Sequence, residues 1–197
     1  MRKAGYSVAC LMLTAAASVA VRAEEPAQVT PLAVGAAMED FGLREVNVAS
    51  GKLERIVWLS DFVGPDAAGR PRKKLLLLSF FASWCKPCVA ELPLLGQLQA
   101  RYAALGLQVV SVHVRAQDET FEAALAATRQ VLPATGLGFP MLFDRYTNRA
   151  QLVYLGARAS LPCNVLIDQR GTIAARASGA QGLEALVRAQ LGLRGVR

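Results

Sequence analysis

The stretch SFFASWCKPCVAELP, residues 79–93, determines how the rest of this 197-residue chain is interpreted. It contains Cys85 and Cys88 with two residues between them, preceded by a tryptophan and followed by a glutamate. A cysteine pair at this spacing binds a metal, closes a structural disulfide or exchanges electrons with the cysteines of another protein. Because the spacing fits all three uses, the surrounding sequence has to distinguish them.

The cysteine pair falls between a predicted strand and a predicted helix. Residues 75–81 form an apolar run that is short enough for a strand buried on both faces of a sheet. In residues 86–105, apolar side chains recur at three- and four-residue steps, and Gly106 provides a helix stop. Reactive groups gather at the carboxyl ends of such strands, so the sequence predicts that the two cysteines lie at the functional edge of the sheet.

The remaining elements predict an α/β fold, a mixed sheet flanked by helices with an N-terminal hairpin and a central αβ insert. The hairpin is expected over residues 43–59, around a turn at residues 49–51. A helix is expected over residues 119–132, with Asp118 as its N-cap. Further strands are expected at 107–114, 139–143, 163–167 and 172–177, and further helices at 147–155 and 181–191.

The N-terminus has the pattern of an export signal. Arg2 and Lys3 precede an uncharged run over residues 4–21. Val21 and Ala23 are the small residues expected before a cleavage site. We therefore expect a cleaved signal peptide and a periplasmic or otherwise exported protein. An uncleaved membrane anchor is the alternative, because the run is about as long as the ~18 residues that a membrane span requires.

Four segments follow from the expected cleavage. They are a signal peptide (residues 1–23), a polar leader (24–33), a single folded domain (34–192) and a C-terminal tail (193–197). Without the signal peptide, 19 basic residues remain against 15 acidic ones, a mild excess of positive charge. The densest basic cluster, residues 70–74, lies in a loop without interleaved aromatic residues, so nucleic acid is not an expected partner.

The cysteines of the expected mature chain are Cys85, Cys88 and Cys163. An odd count with a single CxxC pair is not the pattern of a disulfide scaffold. A helix N-terminus stabilises negative charge, so Cys85 is expected to form a thiolate more readily than a free cysteine does. Cys88 lies one turn further into the helix and is expected to be more buried. Cys85 would therefore attack a partner's disulfide, and Cys88 would resolve the mixed disulfide.

Metal binding is the alternative use of the cysteine pair. A four-ligand zinc site needs a second CxxC pair or two histidines, whereas the only histidine is His113, inside an apolar strand. Copper delivery also needs a suitably placed histidine. The sequence therefore provides no complete metal-ligand set and implies no cofactor. A non-catalytic module of the same fold that binds a metal or an apo-cytochrome remains the alternative function.

Several segments resemble one known family. FFASWCKPCVAELP is similar to the active-site stretch FWATWCxPCxxExP of the TlpA-like thioredoxin-fold disulfide oxidoreductases, in the AhpC/TSA–redoxin superfamily. VWLSDFVG, FPMLFD and YLGARASLPCNVLIDQRG are similar to further segments of that family, so the similarity runs from about residue 34 to residue 191. The resemblance implies a thioredoxin-like domain that exchanges disulfides with protein thiols.

The resemblance also implies roles for individual residues around the first helix. It makes Cys85 and Cys88 the redox-active disulfide pair, and it makes Trp84 the aromatic residue that flanks them for substrate binding. It makes Glu91 the acidic residue near the buried thiol, where its carboxylate exchanges a proton with Cys88.

The resemblance further implies how a substrate is held and where electrons come from. Pro162 would be the cis-proline that faces the redox pair, and it would expose the backbone of Leu161 for pairing with an extended substrate segment. A membrane thiol transporter is implied as the electron donor. Reduction is implied as the direction, with apocytochrome c or similar proteins as clients.

Three positions depart from related patterns. Ser79 stands where cytosolic-type thioredoxins carry a buried aspartate, so Glu91 would have to supply the proton transfer. Cys163 stands where the TlpA-like pattern has threonine; it is either a small buried strand residue or a thiol close enough to form an alternative disulfide. A peroxiredoxin needs a threonine where Ala82 stands, three residues before Cys85, and that disfavours a peroxiredoxin.

Overall fold

The computed structural model describes residues 30–46, 53–64, 66, 69, 72–116, 118–132, 137–144, 148–157 and 160–193. The expected signal peptide, leader residues 24–29, the hairpin turn at 49–51 and tail residues 194–197 lie outside these ranges. The described strands are β1 (Gly42–Val46), β2 (Leu53–Trp58), β3 (Leu75–Phe81), β4 (Leu107–His113), β5 (Met141–Phe143), β6 (Cys163–Asp168) and β7 (Ile173–Ser178).

These strands form a mixed sheet with the order β2-β1-β5-β4-β3-β6-β7. The centre is parallel, because β3 pairs with β4 and β4 pairs with β5 in the same direction. The predicted hairpin is the antiparallel pair of β1 and β2 at one edge. A second hairpin, β6 with β7, continues the sheet on the other side of β3. The mixed α/β arrangement predicted from the element order is confirmed.

The described helices are α1 (Lys86–Tyr102), α2 (Phe121–Val131), α3 (Arg149–Leu155) and α4 (Leu183–Gln190). The predicted helix over residues 86–105 is α1 followed by a 3-10 turn, Ala103–Leu105, and Gly106 ends that turn with a φ of 104° that favours glycine. The predicted N-cap at Asp118 is wrong. The helix α2 begins later, and the Thr120 side chain accepts a hydrogen bond from the Ala123 N–H at 3.2 Å. No helix in the described ranges is long and apolar enough to cross a membrane.

Strand β3 is buried on both faces of the sheet, as its apolar run predicts. Leu77 and Phe81 pack in a core with residues of α1, α2 and α4. Leu78 and Phe80 point the other way and pack in a second core with residues of α3. Burial of each such side chain stabilises the fold by roughly 1.5–3 kcal/mol, so β3 is a rigid support for whatever follows it.

The register of the sheet brings the residue before β6 close to the cysteine pair. Strand β6 runs antiparallel to β3, and Cys163 lies opposite Phe80. Pro162 therefore lies beside the carboxyl end of β3, from which the chain continues to Cys85. The sheet thus unites two segments that are distant in sequence.

Candidate active site

A disulfide joins Cys85 and Cys88 at the start of α1, with an S–S distance of 1.97 Å. Cys85 is the N-cap of this helix, and its Sγ accepts a hydrogen bond from the Cys88 N–H at 3.3 Å. The Cys85 carbonyl accepts the first helical bond, from the Val89 N–H at 3.1 Å. The sulfur of Cys85 therefore lies where free backbone amides and the helix dipole stabilise a thiolate.

The two sulfurs differ in their access to solvent. Cys85 is 7% exposed, whereas Cys88, one turn further into α1, is 1% exposed. The neighbours of Cys85 lie at the surface: Trp84 is 57% exposed, and Lys86 and Pro87 are exposed. A partner that approaches this surface therefore meets Cys85 first.

An open groove of about 650 Å³ begins at Cys85. The first residues around α1, 84–87, form one side of it. The other sides are formed by Val114 and Arg115 after β4, by Gln151 of α3, and by Ser160 and Leu161. Cys88 does not line the groove. The groove is large enough for an extended segment of another protein, and only one of the two sulfurs faces it.

The Leu161–Pro162 peptide bond, which precedes β6, is cis. Pro162 is buried, and its carbonyl accepts a hydrogen bond from the Gly179 N–H at 3.3 Å. Leu161 is half-buried and packs against both cores. Within the described part of the chain, no backbone hydrogen bond involves Leu161. Its N–H and carbonyl are therefore available at the groove.

Glu91 lies on α1, three residues after Cys88, and is only 3% exposed. Its Oε1 accepts a hydrogen bond from Nδ2 of Asn164 at 3.0 Å. Burial raises the pKa of Glu91 above its ordinary value, and the hydrogen bond from Asn164 offsets part of that rise. A buried carboxyl group with a raised pKa on the same helix face as Cys88 is suited to exchange a proton with that thiol.

A row of buried polar side chains crosses the sheet beneath α1. Ser79 of β3 lies opposite Asn164 of β6 on one side and Ser111 of β4 on the other, and all three are 0% exposed. Among the described residues, the two hydroxyl groups and Oδ1 of Asn164 have no hydrogen-bond partner. The sequence analysis missed Asn164. A buried amide within the apolar strand CNVLID was the signal for it, since buried amides need partners.

The lone histidine, His113, is part of the packed core. Its ring stacks on Phe143 with centroids 4.7 Å apart, and its Nε2 accepts a hydrogen bond from the Ser83 N–H at 3.4 Å. Burial, with a smaller effect of Arg115, lowers the pKa of His113 to about 4, so the ring is neutral at pH 7. In the ranges that the structure covers, no three His, Cys, Asp or Glu residues are grouped as metal ligands.

Cys163 is a free, half-buried cysteine on the opposite face of the sheet. Its side chain packs against the core that contains Phe80 and Leu78, whereas Cys88 belongs to the core beneath α1. Burial raises the pKa of the Cys163 thiol, which keeps it protonated. This position favours the small buried strand residue over the alternative disulfide partner.

Comparisons with known proteins agree with this geometry. The sequence matches the AhpC/TSA family over residues 34–176. It is 28% identical over 167 residues to thiol-disulfide oxidoreductase ResA of Geobacillus thermodenitrificans, covering 85% of this chain and 82% of the relative. A solved structure assigned as thiol:disulfide interchange protein DsbE, from Chlorobium tepidum, is 31% identical with a TM-score of 0.59, covering 82% of this chain and 99% of that chain.

A reduced 2-Cys peroxiredoxin of Plasmodium vivax is also similar, with 20% identity and a TM-score of 0.58 over 81% of each chain. At that identity the likeness concerns the fold alone, and Ala82 lies where a peroxiredoxin needs threonine. The match to the family covers most of the chain, and the joined cysteines lie at the start of α1. The chain therefore belongs to the AhpC/TSA family and is a TlpA-like, thioredoxin-fold thiol–disulfide oxidoreductase.

Proposed function

We propose that this protein is an exported reductase of protein disulfides that cycles between a Cys85–Cys88 dithiol and disulfide. The observation that carries the proposal is the position of the pair. The two sulfurs are joined at the N-terminus of α1, and only that of Cys85 faces the groove. This asymmetry fits a nucleophile that meets the client and a second thiol that stays inside.

In the first step, the Cys85 thiolate attacks one sulfur of a client disulfide. A new S–S bond joins Cys85 to the client, and the other client sulfur leaves as a thiolate. The amides at the start of α1 and the positive charge of Lys86 stabilise the attacking thiolate. At this stage one client sulfur is a free thiolate and the other is bonded to Cys85.

In the second step, Cys88 resolves the mixed disulfide. The Cys88 thiol gives its proton to the Glu91 carboxylate, and the resulting thiolate attacks Sγ of Cys85. The Cys85–Cys88 disulfide forms, and the client leaves with its second sulfur as a thiolate. Two electrons pass from the protein to the client, and the joined pair in the structure corresponds to the oxidised product.

We propose that the client lies in the groove as an extended segment. Leu161, whose backbone groups have no partner in the described chain, would pair with the client backbone as an added strand. The exposed ring of Trp84 would cover the client side chains next to the reacting disulfide. Both contacts hold the client sulfur near Cys85.

We further propose export by a signal peptide at residues 1–23, a leader at 24–33 and a working domain at 34–192, followed by the short tail. The charged start, apolar run and small residues at the end of the first segment support export. The TlpA-like resemblance supports a membrane thiol donor and a role in cytochrome c maturation. The names of ResA and DsbE state thiol–disulfide chemistry for those proteins, which is consistent with this cycle.

Reduction of insulin by dithiothreitol, followed by turbidity, tests the reductase proposal. The purified protein should accelerate the reaction, and Cys85→Ser should abolish the acceleration because the nucleophile is lost. A Cys85→Ser variant with wild-type turnover would contradict the proposal. Stoichiometric copper or zinc in the purified protein, without reductase activity, would support the non-catalytic binding module instead.

A further inference from the structure

Two positively charged residues line the groove. Lys86 follows Cys85 at the start of α1, and Arg115 lies two residues after the end of β4. No carboxylate among the described residues lines the groove. Neither cation belongs to a salt bridge in the described chain. The described lining of the groove beside the reactive sulfur is therefore cationic. The neighbouring Glu119 carboxylate accepts a hydrogen bond from the Ala116 N–H at 3.1 Å and forms no salt bridge with Arg115.

The backbone of Arg115 is held in place by the side chain of Asn148. Oδ1 of Asn148 accepts from the Arg115 N–H at 3.2 Å, and Nδ2 donates to the Arg115 carbonyl at 2.9 Å. Asn148 has a φ of 49°, which makes it the single non-glycine residue of the described chain in the left-handed region. Asparagine is one of the few residues that adopt this conformation readily, and its amide can both donate and accept. The backbone conformation and the double contact are therefore both consistent with an asparagine at this position.

The guanidinium of Arg115 is only partly used by the protein itself. Its NH1 group donates to the Glu119 carbonyl at 3.1 Å. Its Nε is buried and has no partner among the described residues. A client cannot reach this buried atom, but the Arg115 residue is half-buried and lines the groove. A guanidinium matches a carboxylate in geometry and charge, so Arg115 is a cation that the fold holds at a fixed position in the wall of the groove.

We propose that the groove selects client segments that carry an aspartate or glutamate beside the disulfide, with Arg115 and Lys86 as the residues that bind the carboxylate. The inference rests on the proposed function, because Cys85 has to attack client disulfides for the groove to hold a client. The carboxylate supplies a counter-ion for these two cations, and an extended segment that pairs with Leu161 lies along the same groove. Arg115 is thereby a specificity-determining residue.

Two cystine peptides of the same length test the proposal, one with aspartate and one with asparagine next to the cysteines. At low ionic strength, the reduced protein should reduce the aspartate peptide about fivefold faster, as expected for a partly exposed ion pair. Salt should diminish the advantage. Arg115→Gln should lower the ratio of the two rates, and Arg115→Gln combined with Lys86→Gln should bring it to about one. Arg129→Gln, which removes an exposed charge at the end of α2, should leave the ratio unchanged.

Each outcome bears on one proposal. Equal rates for the two peptides with the wild-type protein would overturn the selection of acidic clients and leave the reductase proposal intact. Failure to reduce either peptide would overturn the reductase proposal itself. Oxidised glutathione, a small disulfide with carboxylates, is the third substrate. A rate equal to that of the aspartate peptide would show that a small anion suffices, which would overturn the extended segment as the occupant.

Discussion

Asn164 donates a hydrogen bond from Nδ2 to Oε1 of Glu91 at 3.0 Å, which joins strand β6 to the redox helix α1 inside the protein. Asn164 is 0% exposed and Glu91 is 3% exposed. Burial favours the neutral carboxyl group, whereas the amide donor favours the carboxylate. In the proposed cycle, the balance of these two effects would set the pH at which Glu91 can take the proton of Cys88. No described carboxylate or cation forms a salt bridge with Glu91.

Asn164→Leu should shift the pH dependence of the resolving step. Without the donor, the pKa of Glu91 rises further, so the carboxylate form appears only at higher pH. The acid limb of the pH profile of the resolution rate should move to a pH about one unit higher, which is the expected effect of losing one hydrogen bond to a charged group. Stopped-flow measurement of mixed-disulfide resolution between pH 5 and 9 checks this.

Thr128→Val is the matched control for Asn164→Leu. It removes another buried hydrogen bond, from Oγ1 of Thr128 to the Ala124 carbonyl at 2.7 Å, which lies within α2 and involves neither Glu91 nor Asn164. It should lower the free energy of unfolding without moving the pH profile. If Asn164→Leu leaves the profile superimposable on that of the wild type, the hydrogen bond does not tune Glu91.

Glu91→Gln should slow resolution and also change how stability depends on pH. The raised pKa of Glu91 in the folded protein means that the folded state holds this proton more tightly than the unfolded state. The stability that the bound proton of Glu91 contributes is fully present below the unfolded pKa of about 4.3 and is lost as pH rises through the folded pKa. The variant should therefore gain in unfolding free energy over the wild type at pH 7, and the gain should vanish near pH 4.

Urea unfolding at both pH values measures the effect of Glu91→Gln. Glu122→Gln, at an exposed position in the first turn of α2, is the control and should show no such pH-dependent gain. Two results together would contradict a role for Glu91. The free energy of unfolding of the variant would differ from that of the wild type by the same amount at pH 4 and at pH 7, and the variant would exchange disulfides at the wild-type rate.

Cys88→Ser and Cys163→Ser should behave oppositely. Loss of the resolving thiol should trap the client on Cys85, because the second step of the exchange cannot occur. Cys163 packs on the other face of the sheet, so its replacement should leave turnover unchanged. Mass spectrometry of non-reduced samples counts the mixed disulfides. Accumulation of trapped client in Cys163→Ser would contradict the assignment of Cys88 as the resolving thiol.

His113 should make the protein sensitive to acid. Its pKa of about 4 in the folded state lies below the ordinary value of 6.5, so stability is lost as pH falls from about 6.5 to 4. The loss amounts to roughly 3 kcal/mol at most, at 1.36 kcal/mol for each pKa unit. His113→Leu should flatten the dependence of unfolding free energy on pH over this range. An unchanged slope would show that other groups carry the acid sensitivity.

The sequence predicts the local structure around the cysteines well, because that information is local. The apolar run of β3 and the three- and four-residue repeat of α1 specify a buried strand followed by a helix, and the cysteines mark the junction. The N-cap of α2 was missed since Asp118 and Thr120 are both good caps, and packing decides between them.

The contacts that we propose to adjust the chemistry were not predictable from local pattern. Asn164 and Glu91 are 73 residues apart in sequence, and only the pairing of β6 with β3 brings them together. Arg115 likewise reaches the groove through the position of β4 and the contact with Asn148. Periodicity indicates which face of an element is buried but not which polar side chain lies opposite.

The equilibrium reduction potential of the Cys85–Cys88 pair, measured against glutathione, distinguishes a reductase from an oxidase. Members of this fold span from about −270 mV for reducing proteins to about −120 mV for strongly oxidising ones. A reductase of client disulfides should have a potential near the lower value, so that electrons flow from the pair to the client. A potential near −120 mV would contradict the proposed direction and would make the protein an oxidant of thiols.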